Sequence, residues 1–151
     1  MAPVLLFTPS EILARASQRL QERGWCQYDL ALSHGDGAPA QVCLDAALLL
    51  GVGINVPATG VVRTFRATSG HHKTGETLRL PSSTGTGGIE DILKRQLSGG
   101  RRRNYLKACR YLREVTGVYD LASWNDDDDR EVDEVLKALA DAAQLASAAG
   151  E

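Results

Sequence analysis

Aromatic side chains are scarce: two Phe, two Trp and four Tyr make up 5% of the 151 residues. The interior must therefore be assembled mainly from Leu, Val, Ile and Ala, which favours close helix packing over a thick sheet sandwich. Long apolar runs are missing too. None approaches the roughly 20 residues of a bilayer-spanning helix, so no membrane association is expected. Neither sign of charge dominates. Seventeen Lys and Arg against nineteen Asp and Glu leave a formal net charge of −2, which excludes a globally basic, histone-like binder but not a local basic patch. The three cysteines, Cys26, Cys43 and Cys109, are an odd number, widely spaced and without a CxxC pair. They fit reduced thiols better than a disulfide framework, although a Cys26–Cys43 bridge stays geometrically open. The segment Met1–Phe7 has no basic region and runs straight into a helix start, so no export signal is read and a cytoplasmic location is expected.

What is present is ordinary globular material, 43% hydrophobic and 24% charged, enough for one domain spanning 1–151. Thr8-Pro9-Ser10-Glu11 offers a capping hydroxyl, a proline at the first helical position and a Glu in capping-box register. Ile12, Leu13, Ala16 and Leu20 then form one stripe, predicting a helix over 9–23 that ends at Gly24. The stretch from Cys26 to Pro39 reads as a loop. Residues 41–50, nearly all Ala and Leu after Val42-Cys43, predict a short buried helix stopping at Gly51-Val52-Gly53. The β-branched run 60–68 and the alternating run 76–80 predict a hairpin with a long polar tip, and a lone hairpin needs the helices or a partner for support. Pro81 to Gly88 resembles a linker. Helix returns over 89–97, breaks at Gly99-Gly100, and resumes over 101–116 with Tyr105, Leu106, Cys109, Leu112 and Val115 available for burial. A last helix over 130–146 is expected to bury Val132, Val135, Leu136, Leu139, Ala143 and Ala146, capped by Asn125 or an Asp.

These elements amount to a mainly α fold of about five helices: a small bundle of 9–23, 41–50, 101–116 and 130–146 with a β-hairpin inserted in the region 55–100. Gly24-Trp25-Cys26-Gln27, then Val42-Cys43-Leu44 with its apolar helix, then Trp124-Asn125-Asp126, Arg130 and Glu134-Val135-Leu136 resemble an uncharacterised family of actinobacteria and their phages, known only as a domain of unknown function. The resemblance covers roughly 9–52 and 118–146. It implies an amphipathic helix ending in Gly-Trp, a Cys opening an Ala-rich helix, and a late Trp-Asn-Asp before a final helix. Where that pattern carries Gly, this chain has Asp45. No activity comes with the resemblance.

Several residues invite a functional reading, each beside a plainer one. Trp25 and Trp124, both at helix junctions, either plug gaps in one core with their indole N–H groups on loop carbonyls, or line a shared pocket with Gln27, Asn125 and Asp126. The spacing of Asp126 and Arg130 predicts an i,i+4 ion pair, with a helix cap nearby. The Asp126–Asp129 run lacks the spacing of a calcium loop. Lys94, Arg95, Arg101, Arg102, Arg103, Lys107, Arg110 and Arg113 occur with no acid between them. The plainer reading pairs this basic helix with the acidic last one, or neutralises it across a homodimer; the sharper one gives it a partner. His34, His71 and His72 lack zinc-ligand spacing, and the glycines at 85, 87 and 88 lack the Walker lysine. No metal or cofactor is expected. Cys43 at a helix N-terminus could be an activated thiol, but such a cysteine is more often a small buried filler.

The leading expectation is a non-catalytic binding or regulatory module, a host accessory or phage-derived protein working through protein contacts. The candidate residues are Trp25, Gln27, Arg102, Arg103, Lys107, Arg110, Trp124, Asn125, Asp126 and Arg130. Its surface would combine 101–113 with the 60–80 insertion. A nucleic-acid-associated protein using the same Arg helix is the runner-up. A small thiol or acid–base enzyme around Cys43, Asn125 and Asp126 is the third.

Overall fold

The computed structural model describes residues 6–34, 37–56, 58, 60–65, 76–81, 97 and 99–151. Helix α1 spans Pro9–Arg23. The Thr8 hydroxyl accepts the Glu11 N–H at 3.3 Å, and the Glu11 carboxylate accepts the Thr8 N–H at 3.2 Å. That reciprocal pair satisfies donors a bare helix start would leave open. Gly24 ends the helix with φ of 88°. Ile12, Leu13, Ala16 and Leu20 are buried as their spacing predicts.

The region after Gly24 is more structured than a loop. Ala31–Ser33 form strand β1 and Gln41–Val42 form β2, paired antiparallel. Gln41 and Val42 were expected to open a helix. Instead Val42 donates its N–H to the Gly24 carbonyl at 3.0 Å and accepts from Cys26 N–H at 3.1 Å, which holds it extended. Helix α2 therefore starts later, at Leu44, and runs through Gly51 to Val52. Gly51 continues the helix because α1 packs against it: a β-carbon there would lie 2.5 Å from the Ile12 carbonyl oxygen.

Strands β3 (Gly60–Phe65) and β4 (Glu76–Pro81) form the expected antiparallel hairpin, in register from Gly60↔Pro81 to Phe65↔Glu76. Its support is a strand: β3 pairs parallel with β1, Leu32 opposite Gly60, giving a four-stranded sheet of order β2-β1-β3-β4. The hairpin tip with His71 and His72, Lys94, Arg95, the expected linker 81–88 apart from Pro81, which ends β4, and the expected helix over 89–97 apart from Leu97, which is not helical, lie outside the described residues.

Helix α3 (Gly99–Thr116) includes both glycines expected to break it. Gly100 packs against the Leu6 side chain, where a β-carbon would come within 3.1 Å. Tyr105, Ala108, Cys109, Tyr111 and Leu112 are buried, but Leu106 is 47% exposed. One residue is about 100° of helix, so 106 falls off the 105–108–109–112 stripe. A five-residue helix, α4 (Leu121–Asn125), follows, capped by Asp120, whose carboxylate accepts Ser123 N–H at 3.1 Å. The last helix, α5, spans Val132–Ala148. Its cap is neither Asn125 nor an Asp: Glu131 and Glu134 form the capping box. Val132, at the first helical position, is exposed, while Val135, Ala138, Leu139, Ala142 and Ala146 are buried. Leu136 and Ala143 are half-buried against the core. Helix α1 lies at the centre, against α2, α3 and α5, and α3 packs on α5.

Candidate functional site

Asn125 is the one fully buried polar side chain among the described residues, 1% exposed. Its Oδ1 accepts the Trp25 indole N–H at 2.7 Å and the Leu44 backbone N–H at 3.1 Å. Its Nδ2 donates to the Cys26 carbonyl at 3.2 Å and to Asp126 Oδ1 at 3.0 Å. Two donors on the oxygen and two acceptors on the nitrogen leave the amide one satisfied orientation. Cys43, the residue preceding α2, makes no side-chain cap bond. Asn125 supplies that cap from another part of the chain.

Neighbouring bonds complete a polar knot. Gln27 donates through Nε2 to the carbonyls of Asn125 (3.0 Å) and Asp127 (2.7 Å). Tyr28 has a positive φ of 68°, donates its N–H to Asp126 Oδ1 at 2.9 Å, and bonds Asp128 through its hydroxyl. Trp25, Gln27, Asn125 and Asp126 thus come together as a set. The Trp25 N–H reaches a side-chain amide, where a loop carbonyl was expected.

Trp124 does different work. The Arg130 guanidinium stacks over its ring at 4.1 Å, and Arg130 Nε donates to the Trp124 carbonyl at 3.0 Å. Arg130 pairs with Glu134 at 2.7 Å and Asp127 at 3.9 Å. The i,i+4 pair expected with Asp126 is replaced, because α5 starts after Arg130 and the Asp126 carboxylate already accepts from Tyr28 and Asn125. Both indoles pack against the same hydrophobic cluster.

Beside the knot lies a cavity of about 230 Å³, lined by Tyr28, Asp29, Leu30, Cys43, Asp45, Ala122, Asn125 and Asp126. Neither indole lines it, nor does Gln27. Burial pushes the Cys43 thiol well above the ordinary thiol range, and the nearby Asp45 carboxylate adds to the shift. Cys109 is pushed up to about 12, again mainly by burial. Asp45 itself is raised from 3.8 to about 6, first by burial, then by Asp120, with Asp126 adding and Arg113 opposing. These thiols hold their protons at neutral pH and are poor nucleophiles. Asp45 escaped notice as a candidate site residue, although a lone acid inside a nine-residue apolar run was a visible signal. Among the described residues no three His, Cys, Asp or Glu side chains group closely enough to hold a metal.

A family model described as a family of unknown function, DUF6197, matches residues 6–145. The chain belongs to this family. No curated protein and no solved structure matches it. The DUF6197 match takes in the Asn125 knot, the cavity and the whole of α3, while Glu151 lies beyond it.

The basic helix of this DUF6197 chain divides into tied and untied cations. Lys107 pairs with Glu151 at 2.5 Å and Arg110 with the same carboxylate at 4.0 Å. The Tyr111 hydroxyl donates to Glu151 at 2.6 Å. Chiefly through its bond to Lys107, the Glu151 carboxyl is held below its usual range. Arg113 donates to the Tyr119 carbonyl at 2.8 Å and stacks on that ring, and Arg101 reaches the Val52 carbonyl at 3.4 Å. Neutralisation of α3 thus rests on Glu151 more than on the acids of α5, where Lys137–Asp141 is internal. Arg102 and Arg103 are exposed and have no partner among the described residues.

Proposed function

We propose that this DUF6197 chain is a non-catalytic binding or regulatory module that works through protein–protein contacts made by the outer face of α3. One observation carries the reading: exposed Arg102 and Arg103 and the 65%-exposed Arg110 lie three or four positions along α3 from Leu106, itself 47% exposed. Residues 103, 106 and 110, and likewise 102 and 106, are spaced to share a helix face. Guanidinium groups framing an apolar side chain suit an acidic protein surface with an apolar centre, and Arg is enriched among residues that dominate such interfaces. A phosphate backbone rewards the cations but gains little from Leu106. Burial of the thiols, which holds them protonated, weighs against a cysteine nucleophile. Three buried thiols also fit a reducing cytoplasm.

The test is affinity capture from host lysate with the wild-type chain, the Arg102→Glu/Arg103→Glu double variant and Cys43→Ser. Nuclease-resistant capture that charge reversal abolishes and Cys43→Ser leaves intact is the expected result. Capture that disappears with nuclease and falls steeply with salt would transfer the assignment to nucleic acid. A phenotype lost in Cys43→Ser alone would revive the enzyme.

A further inference from the structure

On α1, Arg15, Arg19 and Arg23 recur every fourth residue and line one cleft of about 520 Å³, together with Glu22, Leu50 and Ile54. A helix rises about 1.5 Å per residue, so this row spans about 12 Å. Two of the three guanidinium groups are fixed by backbone. Arg15 Nε donates to the Gly51 carbonyl at 2.8 Å with the Phe7 ring stacked 3.9 Å from its centre. Arg23 Nε donates to the Ala40 carbonyl at 2.9 Å. Anchoring through Nε leaves the terminal nitrogens as a donor fork, and these have no partner among the described residues. Arg19, between them, bonds Glu22 at 3.0 Å, with both side chains substantially exposed.

Three cations thus face one carboxylate, in a cleft whose volume falls in the small-ligand range. Guanidinium forks match the paired oxygens of phosphate, and prior anchoring removes part of the ordering cost of binding. We propose that this cleft binds a small organic diphosphate, with the phosphates on the Arg15–Arg19–Arg23 row and the carbon body against exposed Pro39, over the buried Leu50 and Ile54 that floor the cleft. The site is separate from the α3 surface and does not depend on it.

Calorimetric titration at low salt, with inorganic pyrophosphate, orthophosphate and ADP as probes, tests the assignment. Pyrophosphate should bind saturably at one site, more tightly than orthophosphate, and ADP at least as tightly as pyrophosphate. Arg19→Gln should weaken pyrophosphate binding about tenfold or more. Among the described residues Arg19 bonds only exposed Glu22, so the variant should keep the wild-type melting temperature. Glu22→Gln, which removes the competing carboxylate, should strengthen binding, and Arg102→Gln on α3 should leave it unchanged. No saturable pyrophosphate binding up to millimolar concentration, or equal affinity in Arg19→Gln, would overturn the site. Pyrophosphate binding with ADP excluded would overturn the organic ligand.

Discussion

Asp45 is a carboxylate in a helix otherwise built of Ala, Leu, Val and Gly, facing Asp120, Asp126 and Arg113, with Cys43, Cys109 and Tyr105 close enough to feel its charge. Its carboxyl binds a proton more tightly in the folded chain than in the unfolded one, so protonation favours folding. The penalty for its charge is absent below pH 3.8 and fully present once pH passes about 6. Asp45→Asn should therefore stabilise the fold by about 1–3 kcal/mol at neutral pH. It should also flatten the pH dependence of the urea midpoint across that interval. Equal midpoints for variant and wild type at pH 7.5 would contradict it. Asn125 shows how far single residues could be read. The Trp-Asn-Asp run marked it as a site residue, but periodicity could place its amide only as a cap for the helix that follows it. Its actual clients, Trp25 and the first turn of α2, are 100 and 81 positions away, a distance no local spacing rule reaches.

The helices were legible where a stripe and a cap coincide. Thr8, Pro9, Glu11 and Gly24 fix both ends of α1, and the observed bounds agree with the expected ones. The misses share one cause: tertiary pairing outweighed local preference. β1 and β2 have three and two residues, too few for alternation to register, and their conformation comes from partners across the sheet. Gly99, Gly100 and Gly51 read as helix breaks because glycine is intrinsically poor in helices. Gly51 instead lets two helices come close. Gly51→Ala, favourable by helix propensity alone, should destabilise the protein by about 1–3 kcal/mol, since the added methyl meets the backbone of α1. Chemical denaturation decides it, and a stabilised variant would mean the α1–α2 contact is looser than described.

For the whole molecule, the start of α1 and the residues after α5 are tied together through a particular residue. Glu151 accepts Ser10 N–H at 3.1 Å and the Ser10 hydroxyl at 2.8 Å through its carbonyl, while its side chain takes Lys107 and Tyr111 of α3. Composition had balanced the basic stretch against the acidic last third as two faces. One carboxylate carries most of the observed pairing. Glu151→Gln should lower the melting temperature by a few degrees at neutral pH. Because its folded-state carboxyl is held low, that advantage is complete above pH 4.5 and fades as pH falls through the folded value. A difference that persists unchanged in acid would assign the effect to shape, with no role for charge.

Asn125 also bears on the order of events as the chain leaves the ribosome. The first amide of α2 meets its acceptor only after roughly eighty further residues have been made. Until then the Trp25 turn and the start of α2 are open to water or to other molecules. A nascent chain stopped before residue 125 exposes two unmated donors at the mouth of its apolar helix, where a chaperone has most to gain by holding on.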